Sequence, residues 1–339
     1  MWGLISMAMS VVTTPTQFYI LRFFLGVAEA GFFPGVVLYL TYWFPAARRA
    51  RINGFFMTSF AIAGVIGGPL AGLIMSQMDG MHGLAGWQWL FIVEGIPSVL
   101  AGFAVLRYLP EKPMGARWLT DRERVLISEE IEAEARDPAK HSTLRDAFLN
   151  RYVWICAVIY FCIVSGNATI AFWSPSIIRE LGVQGNLNIG LISAIPFIAG
   201  TIAMILNGIH SDRTGERRIH CALATLLAAA GLTLTALFLH NTVLAMIALS
   251  LASVGILAAF PVFWSLPSMF LAGTAAAGGI AVINSIGNLA GFAAPYMIGW
   301  LKTRTGVLSS GLYFVAALEA CAAVLVIVFI KAAPERKAG

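Results

Sequence analysis

Arg22 and Glu29 are the two charged residues of a long apolar stretch, 18–44. A stretch of this length can cross a bilayer as one helix, which needs about 20 mostly apolar residues. Their spacing of seven residues places both side chains on one helix face, about 10 Å apart along the axis. Arginine suits the binding of a carboxylate anion, and a buried glutamate can take up a proton. The pair indicates either an anion site coupled to protons or a buried ion network that fixes helix packing.

The composition excludes a soluble protein. Hydrophobic residues make up 59% of the 339-residue chain and charged residues 12%, against about a quarter charged in soluble domains. The four cysteines lie inside apolar runs without metal-ligand spacing, which predicts buried apolar side chains and no metal site. No phosphate-binding loop or catalytic triad is present, so we expect neither an enzyme nor a cofactor.

Ten apolar runs predict ten membrane-spanning helices. They cover 2–14, 18–44, 52–76, 88–108, 152–178, 187–209, 219–239, 243–271, 275–301 and 308–331. This pattern predicts an all-α polytopic protein with an incomplete N-terminal bundle at 1–109, a linker at 110–151, a six-helix bundle at 152–331 and a tail at 332–339. Within the linker, Thr120 and Glu123 form a capping-box pattern that opens a helix to about Arg136.

The basic residues predict the orientation of the chain. Under the positive-inside rule, eighteen Lys and Arg residues fall on one side of the predicted spans and three on the other. Both termini and the linker are therefore expected in the cytoplasm. Because the net charge of +5 is explained by topology, it gives no support for nucleic-acid binding.

A cytoplasmic loop carries the strongest motif, GIHSDRTGERR at Gly208–Arg218. Its residues resemble the loop signature G-x-x-x-D-R-x-G-x-R-R of the major facilitator superfamily at Gly208, Asp212, Arg213, Gly215, Arg217 and Arg218. The Asp212 carboxylate can cap a helix or pair with a basic residue, and Gly215 allows a tight turn. An ordinary positive-inside loop is the alternative reading.

Further motifs resemble the anion:cation symporter branch of that superfamily, which carries tartrate, phthalate, galactonate and hexuronates. These motifs are WQWLFIVEGIP at Trp87–Pro97, ARWLTDRER at Ala116–Arg124, FWSLPSMFL at Phe263–Leu271 and GGIAVINSIGNLAGFAAPYMIGW at Gly278–Trp300. The resemblance implies the major facilitator fold, with this chain matching helices three to twelve of twelve.

The resemblance also implies roles for individual residues. Arg22 is expected to bind a substrate carboxylate and Glu29 to couple a proton. Asn284 and Asn288 lie one turn apart on the ninth span, on a face that Gly291 and Pro295 continue, and either bind substrate or join helices. Trp264 lies between two prolines, where the helix is expected to break. Its side chain either lines the substrate site or only packs against neighbouring helices.

These expectations favour a secondary transporter of the bacterial inner membrane. It would move a small organic anion (a sugar acid, dicarboxylate or aromatic carboxylate) with protons by alternating access, as a monomer. The alternative is a truncated, non-transporting fragment or a membrane interaction module. That alternative is motivated by the two helices that the resemblance finds absent and by the uneven division into four and six spans.

Overall fold

The computed structural model of the protein describes residues 1–44, 46–135, 148–267 and 273–330. The regular structure of these residues is helical throughout. The helices are α1 (Trp2–Ala8), α2 (Pro15–Ala30), α3 (Phe32–Trp43), α4 (Ala46–Gln77), α5 (Gly86–Tyr108), α6 (Asp121–Ala135), α7 (Arg151–Glu180), α8 (Asn186–Thr214), α9 (Arg218–Leu237), α10 (Thr242–Phe263), α11 (Gly273–Asn288), α12 (Ala290–Thr305) and α13 (Ser309–Phe329).

The helices confirm the all-α, polytopic prediction. In the part of the chain that the structure describes, seven helices are long and apolar enough to cross a membrane, with 278–305 taken as one. Shorter apolar helices lie at Trp2–Val11 and Ile62–Gln77. Each of the ten predicted runs contains helix. The tail at 332–339, the linker segment 136–147 and residues 268–271 of the Phe263–Leu271 motif lie outside the described residues.

The prediction of one continuous helix across 18–44 is wrong, because the structure has two helices that meet at Gly31. Pro34, in the first turn of α3, explains the break. It has no backbone N–H to donate to the carbonyl of Ala30, so the α-helical hydrogen bond at this position cannot form. Arg22 and Glu29 both fall on α2, so the break leaves their relative positions unchanged.

The ninth predicted span is also divided, since α11 ends at Asn288 and α12 begins at Ala290. At the junction, the Leu289 N–H donates to the Ile286 carbonyl at 3.2 Å, a tighter turn than the α-helical one. The predicted face that runs from Asn284 through Gly291 to Pro295 therefore crosses this junction, and it stays a prediction. Asn284 belongs to α11, whereas Gly291 and Pro295 belong to α12.

By packing, the chain divides into two compact units, 1–60 with 70–138 and 61–69 with 139–339. In the first unit, small residues bring α1 against α5, because a Cβ on Gly3 would lie only 2.9 Å from the Gly95 carbonyl oxygen. The start of the linker is attached to α3, where the Trp43 and Trp118 rings stack at 5.5 Å between centroids. The prediction of a helix within the linker is confirmed by α6.

In the second unit, glycines set the closest helix contacts. A Cβ on Gly231 of α9 would overlap the backbone of Ala252 on α10, and one on Gly255 would overlap Ala228. Small residues at such positions let two membrane helices approach closely. The buried core of this unit is built mainly from α7, α9, α10 and α13.

Candidate functional site

The start of α2 is fixed by the residues just before it. Thr14 is the N-cap and Pro15 follows at the first helical position. The Gln17 N–H donates to Thr14 Oγ1 at 3.3 Å, and the Thr14 N–H donates to Gln17 Oε1 at 3.3 Å. This reciprocal pair satisfies donors that a helix N-terminus otherwise leaves free. The helix is then continuous to Ala30, so Arg22 and Glu29 keep the shared face that their spacing predicts.

Arg22 and Glu29 are both exposed side chains. The guanidinium carbon of Arg22 lies 5.2 Å from the centroid of the Phe18 ring, within the range of a cation–π contact. Within the described part of the chain, neither residue makes an ion pair. The expectation that Glu29 is buried is wrong for this structure. The alternative interpretation is a buried ion network that fixes helix packing. Among the described residues, neither Arg22 nor Glu29 has the charged partner that such a network requires.

Asn284 and Asn288 are joined by hydrogen bonds on α11. Asn288 Nδ2 donates to the Asn284 carbonyl oxygen and to Asn284 Oδ1, both at 2.9 Å. Asn284 is half-buried and Asn288 is exposed. Because Asn288 occupies the Asn284 side-chain oxygen, the Asn284 amide N–H groups are the donors that this pair leaves available within the described residues.

Trp264 lies where α10 ends, as the two flanking prolines predict. Its ring packs edge-on against Tyr160 of α7, with 4.8 Å between centroids, and the Tyr160 ring stacks on Phe263 at 5.0 Å. On the other side, Gly287 of α11 faces Tyr160 so closely that a Cβ there would overlap its ring.

Tyr160 therefore links Trp264 to the helix that carries Asn284, and the sequence analysis missed it. It stands in an uninterrupted apolar run, where a tyrosine is most simply a core residue. One signal was available, because Asn167 follows seven residues later on the same face of α7 and is half-buried. We name Trp264, Tyr160, Asn284 and Asn288 the aromatic–amide cluster of the second unit.

The loop between α8 and α9 has the geometry that its motif predicts. Gly215 has a φ of +70°, the left-handed region that favours glycine, and ends α8. Of the two roles considered for Asp212, the structure shows pairing, because Arg217 Nη2 lies 2.8 Å from Asp212 Oδ1. The other guanidinium nitrogen, Nη1, donates to Ser265 Oγ at 2.8 Å, just beyond the end of α10.

The same loop reaches a fourth helix. Arg218 Nη2 donates to the Ile327 carbonyl oxygen near the end of α13. Gly208 on α8 lies against Pro261 of α10, and a Cβ there would still keep a normal 3.7 Å contact. Arg213 is exposed, with no ion pair among the described residues. The loop therefore ties one end of α8, α9, α10 and α13 together.

Comparison with known proteins identifies the family. Residues 1–295 match the Major Facilitator Superfamily, and the chain belongs to it. A putative tartrate transporter of Agrobacterium vitis is 46% identical over 336 residues, which are 98% of this chain and 74% of that protein. A putative metabolite transport protein, NicT of Pseudomonas putida, is 42% identical over 93% of this chain and 72% of its own length.

A solved structure supports the fold. The crystal structure of a D-xylose-proton symporter matches 97% of this chain and 79% of its own chain, with a TM-score of 0.70 and 18% sequence identity. At this identity the match shows the fold alone. The family resemblance seen in the sequence motifs is confirmed. The protein is a multi-pass membrane protein of a transporter family and not an enzyme. In the described residues, no group of three or more His, Cys, Asp or Glu side chains is placed to hold a metal ion.

Proposed function

We propose that the protein carries a small organic anion across the bacterial inner membrane by proton symport. The names of its relatives support this substrate class, since one is called a putative tartrate transporter and is 46% identical to the chain. We include sugar acids, dicarboxylates and aromatic carboxylates in the class, and both termini are placed in the cytoplasm. The proposed active form is a monomer.

The pair of exposed charges on α2 carries the proposal. Arg22 and Glu29 share a face and have no ion-pair partner in the described residues, so the arginine is available for an anion. A guanidinium binds a carboxylate through two parallel hydrogen bonds. Glu29, about 10 Å further along the axis, takes the proton, and its neutral form removes a negative charge from the region where the anion binds.

Within the second unit, the aromatic–amide cluster is proposed to supply neutral contacts for a carried anion. The Asn284 amide N–H groups donate to carboxylate or hydroxyl oxygens, Asn288 holds Asn284 in place, and Trp264 covers the apolar side. The loop at Gly208–Arg218 then acts in the conformational change, because its ion pair and hydrogen bonds join helix ends that must move together during alternating access.

Glu29→Gln tests the coupling role with tartrate as the probe. In proteoliposomes, uptake driven by a pH gradient should collapse, because glutamine cannot carry the proton. Exchange of internal against external labelled tartrate should persist, because exchange needs no net proton movement. Equal loss of both activities would contradict the coupling role and favour a structural one.

Arg22→Lys tests the anion site. Lysine keeps the charge but loses the planar fork, so we expect tartrate affinity to fall about 10- to 100-fold, since a charged hydrogen bond contributes about 1.5–3 kcal/mol. Arg179→Lys is the matched control, an exposed arginine at the end of α7 whose side chain contacts Asn186. Unchanged affinity in Arg22→Lys would refute the assignment.

A further inference from the structure

Glu319, on α13, is the one charged residue among the described side chains that is completely buried, with 0% of its surface exposed. Neither of its carboxyl oxygens has a hydrogen-bond partner in the described part of the chain. An isolated buried carboxylate is very costly in an apolar environment, and an intramembrane acidic residue is rare without a partner. The packing therefore favours the neutral, protonated acid.

Two buried hydroxyls on other helices of the second unit show how such a group can be satisfied locally. Thr169 on α7 donates to the Ser165 carbonyl at 2.8 Å, and Thr235 on α9 donates to the Gly231 carbonyl at 2.8 Å. Such bonds within a helix satisfy a buried donor locally. A carboxyl that served only to fill space would gain from a similar bond, because an unsatisfied buried polar group costs about 1–3 kcal/mol. The Glu319 carboxyl has room in the packed helices, but it has no hydrogen-bond partner among the described residues.

The space for the carboxyl is provided by a specific residue on the neighbouring helix. A Cβ on Gly166 of α7 would overlap Glu319 Oε1, and it would lie 2.9 Å from Cγ1 of Ile256 on α10. Any residue larger than glycine would thus displace the acid. Glu319 sits at a site bounded by α7, α10 and α13, deep in the second unit.

The groups that could titrate near Glu319 are thiols. Cys162 of α7 and Cys221 of α9 are the titratable side chains that interact electrostatically with the carboxyl, and Cys156 is buried in the same core as both. Cys321 lies two residues after Glu319 on α13 and is exposed, so the prediction of a buried side chain is wrong for this one of the four cysteines. The helix α10 contains no titratable residue at all.

The basic side chains of α9 and α12 are engaged elsewhere. Arg218 of α9 binds the Ile327 carbonyl, eight residues and about 12 Å along α13 from Glu319. His220 of α9 pairs with His210 at 2.6 Å. On α12, Lys302 Nζ is 3.1 Å from Glu180 Oε2, and Arg304 lies over the Trp300 ring. Within the described residues, no cation neutralises Glu319.

We propose that Glu319 is a proton-binding site of the second unit, separate from Glu29. The carboxyl holds a proton in the packed state seen here and exchanges it when α7, α10 and α13 separate enough to admit water. The ligand of the site is the proton itself. The burial of Glu319, its lack of hydrogen-bond partners in the described residues and the space at Gly166 support this role, whichever substrate the protein carries.

Infrared difference spectroscopy tests the site on the purified full chain in lipid nanodiscs at neutral pH. The wild-type spectrum minus that of Glu319→Gln should contain the carbonyl band of a neutral carboxylic acid. That band should shift after equilibration in D₂O, because the proton exchanges. Glu180→Gln is the matched control, since Glu180 is paired with Lys302 and its removal should leave the neutral-acid region unchanged.

Two results would overturn the proposal. If the neutral-acid band is absent from the difference spectrum, Glu319 is ionised. If the band is present but does not shift in D₂O, the proton is locked in and the residue is only structural. Gly166→Ala, which retains the acid, gives an independent test if Glu319→Gln fails to fold. The added methyl group should move the same band, and an unchanged band would contradict the placement of the carboxyl at Gly166.

Discussion

At the scale of single residues, two glycines determine where polar side chains of the second unit lie. Gly166 leaves space for the Glu319 carboxyl, and Gly287 lets Tyr160 approach α11. Each glycine lies in a helix, where alanine is intrinsically preferred by roughly 1 kcal/mol. A close approach between helices compensates for that cost at these two positions. Neither glycine has a backbone conformation that requires it.

Gly287→Ala should therefore destabilise the protein. The new Cβ overlaps the Tyr160 ring, and overpacking of this kind costs about 1–3 kcal/mol. Thermal unfolding in detergent would measure the effect as a lower midpoint. In a Tyr160→Ala background the same substitution should cost much less, because the overlapping ring is gone.

Gly299→Ala provides the matched control for Gly287→Ala. A Cβ at Gly299 would meet Trp173 at an ordinary 3.7 Å, and glycine-to-alanine changes without strain stabilise by about 0.4–1 kcal/mol. If Gly287→Ala and Gly299→Ala shift the midpoint alike, the contact between Tyr160 and α11 is not as tight as described.

The sequence could identify Arg22 and Glu29 because charge inside an apolar run is visible without a structure. It could not identify the importance of Tyr160 or the isolation of Glu319. Both depend on which neighbours are absent or small, and those neighbours, Gly287 and Gly166, lie more than a hundred residues away in sequence. Exposure of Glu29 was likewise unpredictable, because burial is a property of the assembled helices.

At the scale of elements, the loop between α8 and α9 joins helix ends through an ion pair that is weak by itself. Asp212 and Arg217 have side chains that are 67% and 29% exposed, and exposed pairs contribute about 0–1 kcal/mol. Asp212→Asn should thus lower the unfolding midpoint very little. We expect a severalfold loss of tartrate exchange rate, since the pair acts on the coupling of helix ends rather than on stability.

Glu180→Gln separates these two effects. This substitution removes the ion pair between Glu180 and Lys302, in which both side chains are 39% exposed. Its effect on the unfolding midpoint should therefore be as small as that of Asp212→Asn. Its exchange rate should stay near that of the wild type, because Glu180 lies at the end of α7, away from the loop at Gly208–Arg218. Equal rates for Asp212→Asn and Glu180→Gln would remove the special role of the loop.

The linker helix α6 should depend on pH through its cap. The Thr120 N–H and hydroxyl both donate to Glu123 Oε2, at 2.9 and 2.8 Å. These bonds hold the pKa of the exposed Glu123 carboxyl below its ordinary value of 4.5. The contribution of the carboxylate to helix stability is therefore present above pH 4.5 and is lost as the pH falls through the lowered pKa.

Hydrogen exchange of the α6 amides, corrected for intrinsic rates, would measure this dependence. Glu123→Gln should exchange faster than the wild type at neutral pH, because glutamine forms a weaker cap. The difference should disappear in acid, where the wild-type carboxyl is protonated. A difference that stayed constant with pH would show that the charge of Glu123 has no part in the cap.

Helices were more predictable than their interruptions. The apolar runs located the helices because their hydrophobicity exceeds what a soluble core requires. The breaks at Gly31 and Leu289 were missed, since a run of apolar residues continues through both. For the first, Pro34 was a usable signal. The break at Leu289 follows Asn288, whose side chain donates to the Asn284 carbonyl oxygen in the preceding turn. Such a side-chain bond competes with the backbone hydrogen bonds of the helix, and the spacing of apolar residues does not reveal it.

At the scale of the whole molecule, the distribution of charge carries information that the fold does not. The helices would pack in the same way in either orientation across a bilayer. Lys and Arg nevertheless lie mostly on one predicted side, eighteen against three, and this asymmetry determines which side stays in the cytoplasm. The orientation is therefore a prediction from the sequence. The packing of helices within each unit does not test it.

Single cysteines would test the orientation in intact cells. In a background without Cys156, Cys162, Cys221 and Cys321, His240→Cys lies at the exposed end of α9 and should react with a membrane-impermeant maleimide. Met114→Cys, in the linker where Met114 is 60% exposed, should react only after the membrane is permeabilised.

The opposite labelling pattern would place the linker and the loop at Gly208–Arg218 outside the cell. The positive-inside reading of this chain would then be wrong. Labelling of both cysteines in intact cells would instead indicate that the chain inserts in both orientations. The uneven distribution of Lys and Arg, eighteen on one predicted side and three on the other, should prevent this. Because both cysteines replace exposed residues outside the proposed substrate and proton sites, tartrate exchange should be retained in each variant. That retention shows that the labelled protein is the folded transporter.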